Sequence, residues 1–173
     1  MPRVFVGIGS NVNRDASIRS GVQALREVFG ALTISDVYQS PAVGFEGDDF
    51  YNLVVAFNTE RGAPEVARTL HDIEWRFGRD RAAPKYSSRS LDLDLLLYDD
   101  LVVLEKDLEL PRADIGMYAF VLRPLAEIAG DCRHPVSGQR FADMWSGFEQ
   151  RGQALRRVRL KFEDPISRNT AER

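Results

Sequence analysis

The chain has 173 residues, with 23 Lys and Arg against 26 Asp and Glu and a formal net charge of −3. With 44% hydrophobic and 28% charged residues it is composed like a globular protein, not a disordered or fibrous one, and near-neutrality argues against a dedicated nucleic-acid binder. One cysteine, Cys132, excludes an internal disulfide and a multi-cysteine metal site; with no long apolar run and no signal-peptide body, the expectation is a cytoplasmic protein.

A β-branched and aromatic run at 3–8 predicts a first strand, closed by Gly9-Ser10-Asn11. Ile18, Val22, Leu25 and Phe29 recur at helical spacing and predict a helix over 15–29 that Gly30 ends. A second strand is expected at 32–38 and a loop at 40–49, followed by a long apolar strand at 50–59. Pro64 suits a helix's first turn, and Val66, Leu70, Ile73 and Phe77 mark the buried face of a second helix that stops at Gly78. Residues 79–90 show no period, and 91–98 reads as a fourth strand. The order strand–helix–strand–strand–helix–strand is the α+β, ferredoxin-like split βαβ arrangement, an antiparallel sheet with two helices on one face. Additions follow: short elements near 101–104, 114–118 and 120–128, a helix near 139–146 and a last strand near 155–160. Without repeats or linkers, one domain over 1–162 with a polar tail at 163–173 is expected.

The average charge conceals a segregation. From Arg76 to Arg89 five basic residues (Arg76, Arg79, Arg81, Lys85, Arg89) meet one acidic residue, Asp80, a local net of +4. From Asp92 to Glu109 seven carboxylates meet one lysine, a net of −6. Period-two alternation sets Leu91, Leu93, Leu95 and Leu97 on one strand face and Asp92, Asp94, Leu96 and Tyr98 on the other. The two aspartates then lie side by side, their α-carbons roughly 6.5–7 Å apart. Burying both costs several kcal/mol unless cations compensate. Mg²⁺ is suited to that task, because it takes oxygen ligands and is shared between carboxylates and phosphates, while the arginines supply charged donors to the remaining phosphate oxygens. The bland alternative is an edge strand whose solvated aspartates pair with surface arginines.

No glycine pattern makes a phosphate cradle: Gly7, Gly9 and Ser10 lack a following Gly-Lys-Ser/Thr, and Val12 stands where a dinucleotide fingerprint needs glycine. Asn11 can present an amide to a ligand or simply shape a turn. Phe29, Phe57, Phe77 and Trp75 read as packing residues, and His71 and His134 do not form a metal pair. Cys132 reads as an unreactive or semi-buried thiol.

Several motifs occur in order: Gly9-Ser10-Asn11; Tyr38 to Gly44 (YQSPAVG); Asp49-Phe50-Tyr51-Asn52; Ile73-Glu74 with Gly78-Arg79-Asp80-Arg81; Arg89-Ser90-Leu91-Asp92-Leu93-Asp94; Leu110-Pro111; and Phe120 to Leu125 (FVLRPL). With these the chain resembles the 6-hydroxymethyl-7,8-dihydropterin pyrophosphokinase family over about 4–145. The resemblance implies transfer of pyrophosphate from ATP to the pterin alcohol in folate biosynthesis. It implies that Asp92 and Asp94 bind two Mg²⁺ ions, and that Arg79, Arg81, Lys85 and Arg89 cover the polyphosphate as catalytic cations. Glu74, Tyr86 and Arg112 would join them on the nucleotide side. On the pterin side, Phe50 and Phe120 would sandwich the ring, with Asn11, Asn52 and the backbone of Ala42, Val43 and Gly44 around it. Partners would be the two small substrates, with no nucleic acid and no membrane, in a monomer.

This chain departs from the family's usual pattern in having Arg112 for histidine, Tyr118 for an arginine, Ser87-Ser88 for Gly-Pro, and a shorter acidic loop at 46–49. Two other readings therefore stand beside the leading one. The first is a diverged relative that binds a pterin or nucleotide, or acts on a related pterin, with reduced or no transfer. The second, a nucleic-acid-binding domain, is opposed by Asp92 and Asp94, which would repel a phosphate backbone.

Overall fold

The computed structural model describes residues 1–78 and 90–163. Strand β1 (Arg3–Ser10) leads to helix α1 (Arg14–Phe29), which follows a left-handed residue at Asn13 and ends at Gly30 with φ +81°. Strands β2 (Thr33–Ile34), β3 (Val37–Ser40) and β4 (Phe50–Asn58) come next, then helix α2 (Ala63–Arg76), with Pro64 in its first turn. Strand β5 (Asp92–Tyr98) is followed by a hairpin of β6 (Val103–Glu105) and β7 (Leu108–Leu110). Helices α3 (Asp114–Met117), α4 (Ala119–Ala129) and α5 (Phe141–Ser146) precede the last strand, β8 (Arg156–Val158).

The main sheet runs β5-β1-β4-β3-β8, with β2 also paired to β4, and every pairing is antiparallel. The central order β5-β1-β4-β3 is the expected split βαβ. Alternating residues of the same strands feed two cores. Val4, Val6, Ile8, Leu53, Val55 and Phe57 pack against α1 and α2 through Ile18, Val22, Leu25, Val66, Leu70 and Ile73. Phe5, Val54 and Ala56 face the other way and meet Ile115, Leu122, Leu125 and Phe141 of α3 to α5. The C-terminal additions thus form a second helical layer. Among the described residues no helix is long and apolar enough to cross a membrane.

Four expectations change. The strand predicted at 32–38 is two strands, because Ser35 breaks the run: its hydroxyl accepts the Val54 N–H at 2.9 Å while its own N–H donates to the Val54 carbonyl at 3.0 Å. The period-two reading of β5 holds through Leu96 and fails at Leu97 and Tyr98. A register shift opposite Phe5 and Val6 places Leu97, with Leu96, in the second core, and returns Tyr98 to the first. Trp75, expected to pack, is 57% exposed, since one step round α2 from the buried Glu74 carries it outward. Cys132 is exposed. The element near 101–104 is half of the β6–β7 hairpin, the one near 120–128 is α4, and the last strand is three residues long.

Candidate active site

The second helical layer does not reach the whole sheet. At the start of β5 and the end of β1 it leaves a cleft of about 250 Å³. The register explains the opening. Asp92 of β5, Gly9 of β1 and Asn52 of β4 lie in one row across three strands, and Asp94, Gly7 and Val54 in the next. Residues directly opposite one another project to the same side of a sheet, and all six line the cleft. Neighbouring strands are about 4.8 Å apart, so the Asp92–Asn52 separation spans roughly 10 Å of floor surfaced by glycine backbone.

At the acidic end, Asp94 Oδ1 lies 3.5 Å from Arg112 Nη2, and Arg112 Nε lies 3.4 Å from Asp114 Oδ2. Arg112 is fixed through its backbone, whose N–H donates to the Leu96 carbonyl at 3.0 Å. Burial pulls the guanidinium's pKa down, but the carboxylates, Asp94 foremost and then Asp114, outweigh it, and the net shift is upward. Arg112 is therefore a permanent cation inside the cleft, placed to meet either a carboxylate or a phosphate. Asp92 and Asp94 remain partly open to the cleft and present hard oxygen donors side by side. Among the described residues no cluster of three or more His, Cys, Asp or Glu forms a protein-only metal cage. Two carboxylates facing a ligand cleft nevertheless fit a cation that completes its shell with water and phosphate oxygens.

At the other end the cleft is aromatic. Phe50 and Phe120 both line it, as do Phe45 and Tyr118. Tyr118 stacks on Phe120 with ring centroids 5.0 Å apart and planes at 16°, and Phe45 meets Phe50 edge-on at 6.3 Å and 87°. Buried Asn52 donates through Nδ2 to the Ser40 hydroxyl at 2.8 Å. That bond turns Asn52 Oδ1 toward Gly9, where a β-carbon would lie 3.1 Å from it. The site thus combines a carboxylate–cation end, a glycine floor and an aromatic slot with a fixed amide.

Several residues singled out in the sequence come together here: Asp92, Asp94, Arg112, Val43, Phe50, Asn52 and Phe120. Ala42 and Gly44 lie in the adjoining loop and do not border the cleft. Asn11 does not either: it is buried, and its amide donates to the Asp48 carbonyl at 3.1 Å. Glu74 is buried on α2, against the opposite face of the sheet, with His71 Nδ1 3.3 Å from its carboxylate. Arg79, Arg81, Lys85, Tyr86 and Arg89 lie outside the described residues. Phe45, Ser40, Asp114 and the paired glycines were missed as site residues. The glycines carried a signal, since Gly7 and Gly9 alternate on a strand whose other face is Val4, Val6 and Ile8.

Comparison with known proteins shows the family and the fold. The family model described as 7,8-dihydro-6-hydroxymethylpterin-pyrophosphokinase (HPPK) matches residues 5–130. The 2-amino-4-hydroxy-6-hydroxymethyldihydropteridine pyrophosphokinase of Aquifex aeolicus is 34% identical over 138 residues, 79% of this chain and 86% of its own. The Synechocystis protein of the same name is 35% identical over 142 residues, 80% and 72% of the two chains. In three dimensions, wild-type Plasmodium falciparum HPPK-DHPS with SDX-DHP superposes with a TM-score of 0.64 at 14% identity. That likeness, one of fold, covers 84% of this chain and 43% of the Plasmodium chain.

Proposed function

The chain belongs to the 7,8-dihydro-6-hydroxymethylpterin-pyrophosphokinase family, and on that premise we propose that its cleft holds the pterin in the aromatic slot and the ATP polyphosphate at the carboxylate end. The reaction is transfer of pyrophosphate from ATP to 6-hydroxymethyl-7,8-dihydropterin in folate synthesis, releasing AMP. The observation that carries the assignment of ends is the pair of cross-strand rows, in which Gly7 and Gly9 separate Asp92 and Asp94 from Asn52 and Val54. A flat ring lying over the glycine backbone reaches from the amide toward the carboxylates without meeting a side chain between them.

Phe50 and Phe120 hold the ring by stacking, and Asn52 Oδ1, fixed by Ser40, accepts from the ring's N–H donors. Such an arrangement aligns the exocyclic alcohol for in-line attack on the β-phosphorus, and alignment is a large part of what phosphoryl-type transfer requires. Arg112 supplies a fixed charge to the polyphosphate, with Arg79, Arg81, Lys85 and Arg89 as further cations and Tyr86 on the nucleotide side; Glu74, buried on the far face of the sheet, is not placed to touch the nucleotide. Asp92 and Asp94 are the side chains that would hold Mg²⁺, two ions on this reading. A metal held there would neutralise phosphate charge and make the β-phosphorus more electrophilic. Val43 forms part of the wall beside the pterin, while Ala42, Gly44 and Asn11 shape it from behind, Asn11 through its bond to the Asp48 carbonyl. The same reading makes the enzyme a cytoplasmic monomer whose working domain is 1–162, followed by the polar tail at 163–173; the six-stranded sheet that joins β1 to β8 supports the single domain.

Purified protein with ATP, Mg²⁺ and the pterin alcohol tests the assignment. Equal yields of AMP and pterin diphosphate are expected, with no turnover after chelation of the metal. Tight pterin binding without AMP would instead make the chain a binding protein that has lost transfer.

A further inference from the structure

The segment between β3 and β4 carries Phe45 into the cleft, and three scaffold elements grip its far end. Arg14, the first residue of α1, donates from Nη1 to the Asp49 carbonyl at 2.8 Å and lays its guanidinium over the Tyr51 ring, 4.2 Å from the centroid. Gln39 of β3 donates from Nε2 to the Asp49 carboxylate at 2.8 Å. Asn11, just after β1, donates to the Asp48 carbonyl at 3.1 Å. The bonds to Asp48 and to the Asp49 carbonyl go to main-chain oxygens, so they fix the loop's path irrespective of the side chains there.

Inside the loop, two glycines shape the fold-back. Gly44 has φ +81°, a conformation that glycine adopts readily. A β-carbon on Gly47 would lie 2.5 Å from Phe45 Cε2, so the Phe45 ring rests where any side chain at 47 would stand. The ring then meets Phe50 edge-on.

We propose that Phe45 is a third aromatic wall of the flat-ring subsite, and that Arg14 and Gln39 are positioning residues that hold it there through Asp49. The proposal rests on the reading of the aromatic slot as the pterin's place. Stacking rings and a fixed amide set the ring's plane and edge; an edge-on ring against Phe50 sets how far the ligand can slide along that plane. Holding the wall before the ligand arrives removes an ordering cost from binding.

The test is Arg14→Met, which keeps an apolar stem over Tyr51 and removes the donors, alongside Phe45→Ala and the double variant. Two measurements are made on the full chain. Amide hydrogen exchange without ligand is expected to quicken about 10-fold or more across 45–49 in Arg14→Met, since the local opening energy falls. Calorimetry is expected to show 6-hydroxymethylpterin binding about 5–10-fold more weakly, with a non-hydrolysable ATP analogue within about 2-fold of the parent. The double variant should bind no more weakly than Phe45→Ala alone. Unchanged exchange, equal weakening of both ligands, or a full additive loss in the double variant would each overturn the proposal. If the parent protein takes up no pterin, the reading of the slot fails, while the exchange measurement still decides whether Arg14 holds the loop.

Discussion

The two faces of the central sheet are built from the same three strands and do different work. Facing α1 and α2, β1 offers Val4, Val6 and Ile8, β4 offers Leu53, Val55 and Phe57, and β5 offers Leu93 and Leu95, with Leu91 just before it. On the other face, at the same level, the strands carry Gly7 and Gly9, Asn52 and Val54, and Asp92 and Asp94. The first face is filled by helices, and the second is left partly open. Alternation therefore lets stability and ligand contact reside on adjacent residues of one strand. It follows that substitutions one residue apart should fail in different ways.

Phe57→Ala should produce the largest change, because Phe57 is fully buried and stacked on Phe29 at 4.1 Å. A loss of about 3–5 kcal/mol in denaturant-measured stability is expected, with ligand affinities of the remaining folded protein unchanged. Next comes Asp94→Ala on the open face. Its kcat/KM should fall roughly 100–1,000-fold, about 3–4 kcal/mol, while the melting temperature stays within about 2 °C because removal of one carboxylate also relieves its repulsion with Asp92. Near-normal turnover would defeat the assignment of Asp94 to metal. Phe120→Ala should raise the pterin Kd about 10–30-fold while leaving the ATP Kd within about 2-fold; equal losses would discredit the stacking role.

The smallest effects give the sharpest contrast, since they use one substitution in three places. In Gly9→Ala the new methyl meets Asn52 Oδ1 at 3.1 Å, and pterin affinity should drop by about 3-fold. In Gly7→Ala it meets Leu96 at 3.5 Å, an ordinary contact, so stability should hold, while the methyl on the cleft floor should weaken pterin binding without disturbing Asn52. In Gly21→Ala, on α1, the methyl would lie 2.8 Å from a Leu91 methyl, so the penalty should appear as lost stability, with binding untouched. A binding defect in Gly21→Ala, or a stability defect alone in Gly9→Ala, would break the division between the faces.

Much of this was legible from local pattern. The helical spacing of Ile18, Val22 and Leu25, the alternation of Leu91 with Asp92, and the order of elements all rest on interactions within a few residues. What was not legible depends on partners far along the chain. The register shift beside Phe5 flips Leu97 and Tyr98, and nothing in the β5 run itself marks it. Ser35 interrupts the second strand because its hydroxyl finds the backbone of Val54. Asn11 resembled a ligand contact by its place after β1, yet its partner is the carbonyl of Asp48. Phe45 looked like one residue of an irregular loop, and only the grip of Arg14 and Gln39 on Asp49 gives it a place in the cleft.

The three residues of β8 have a consequence for how the chain behaves before it is complete. They cover the outer edge of β3, pairing Val37 with Val158 and Gln39 with Arg156, and Arg157 ties across to Asp36 at 3.0 Å. Until that stretch has been synthesised, β3 presents a row of unsatisfied N–H and C=O groups, an edge on which another nascent copy can add a strand. A chain truncated ahead of Arg156 should accordingly betray itself first by self-association, well before any fault in the cleft is noticed.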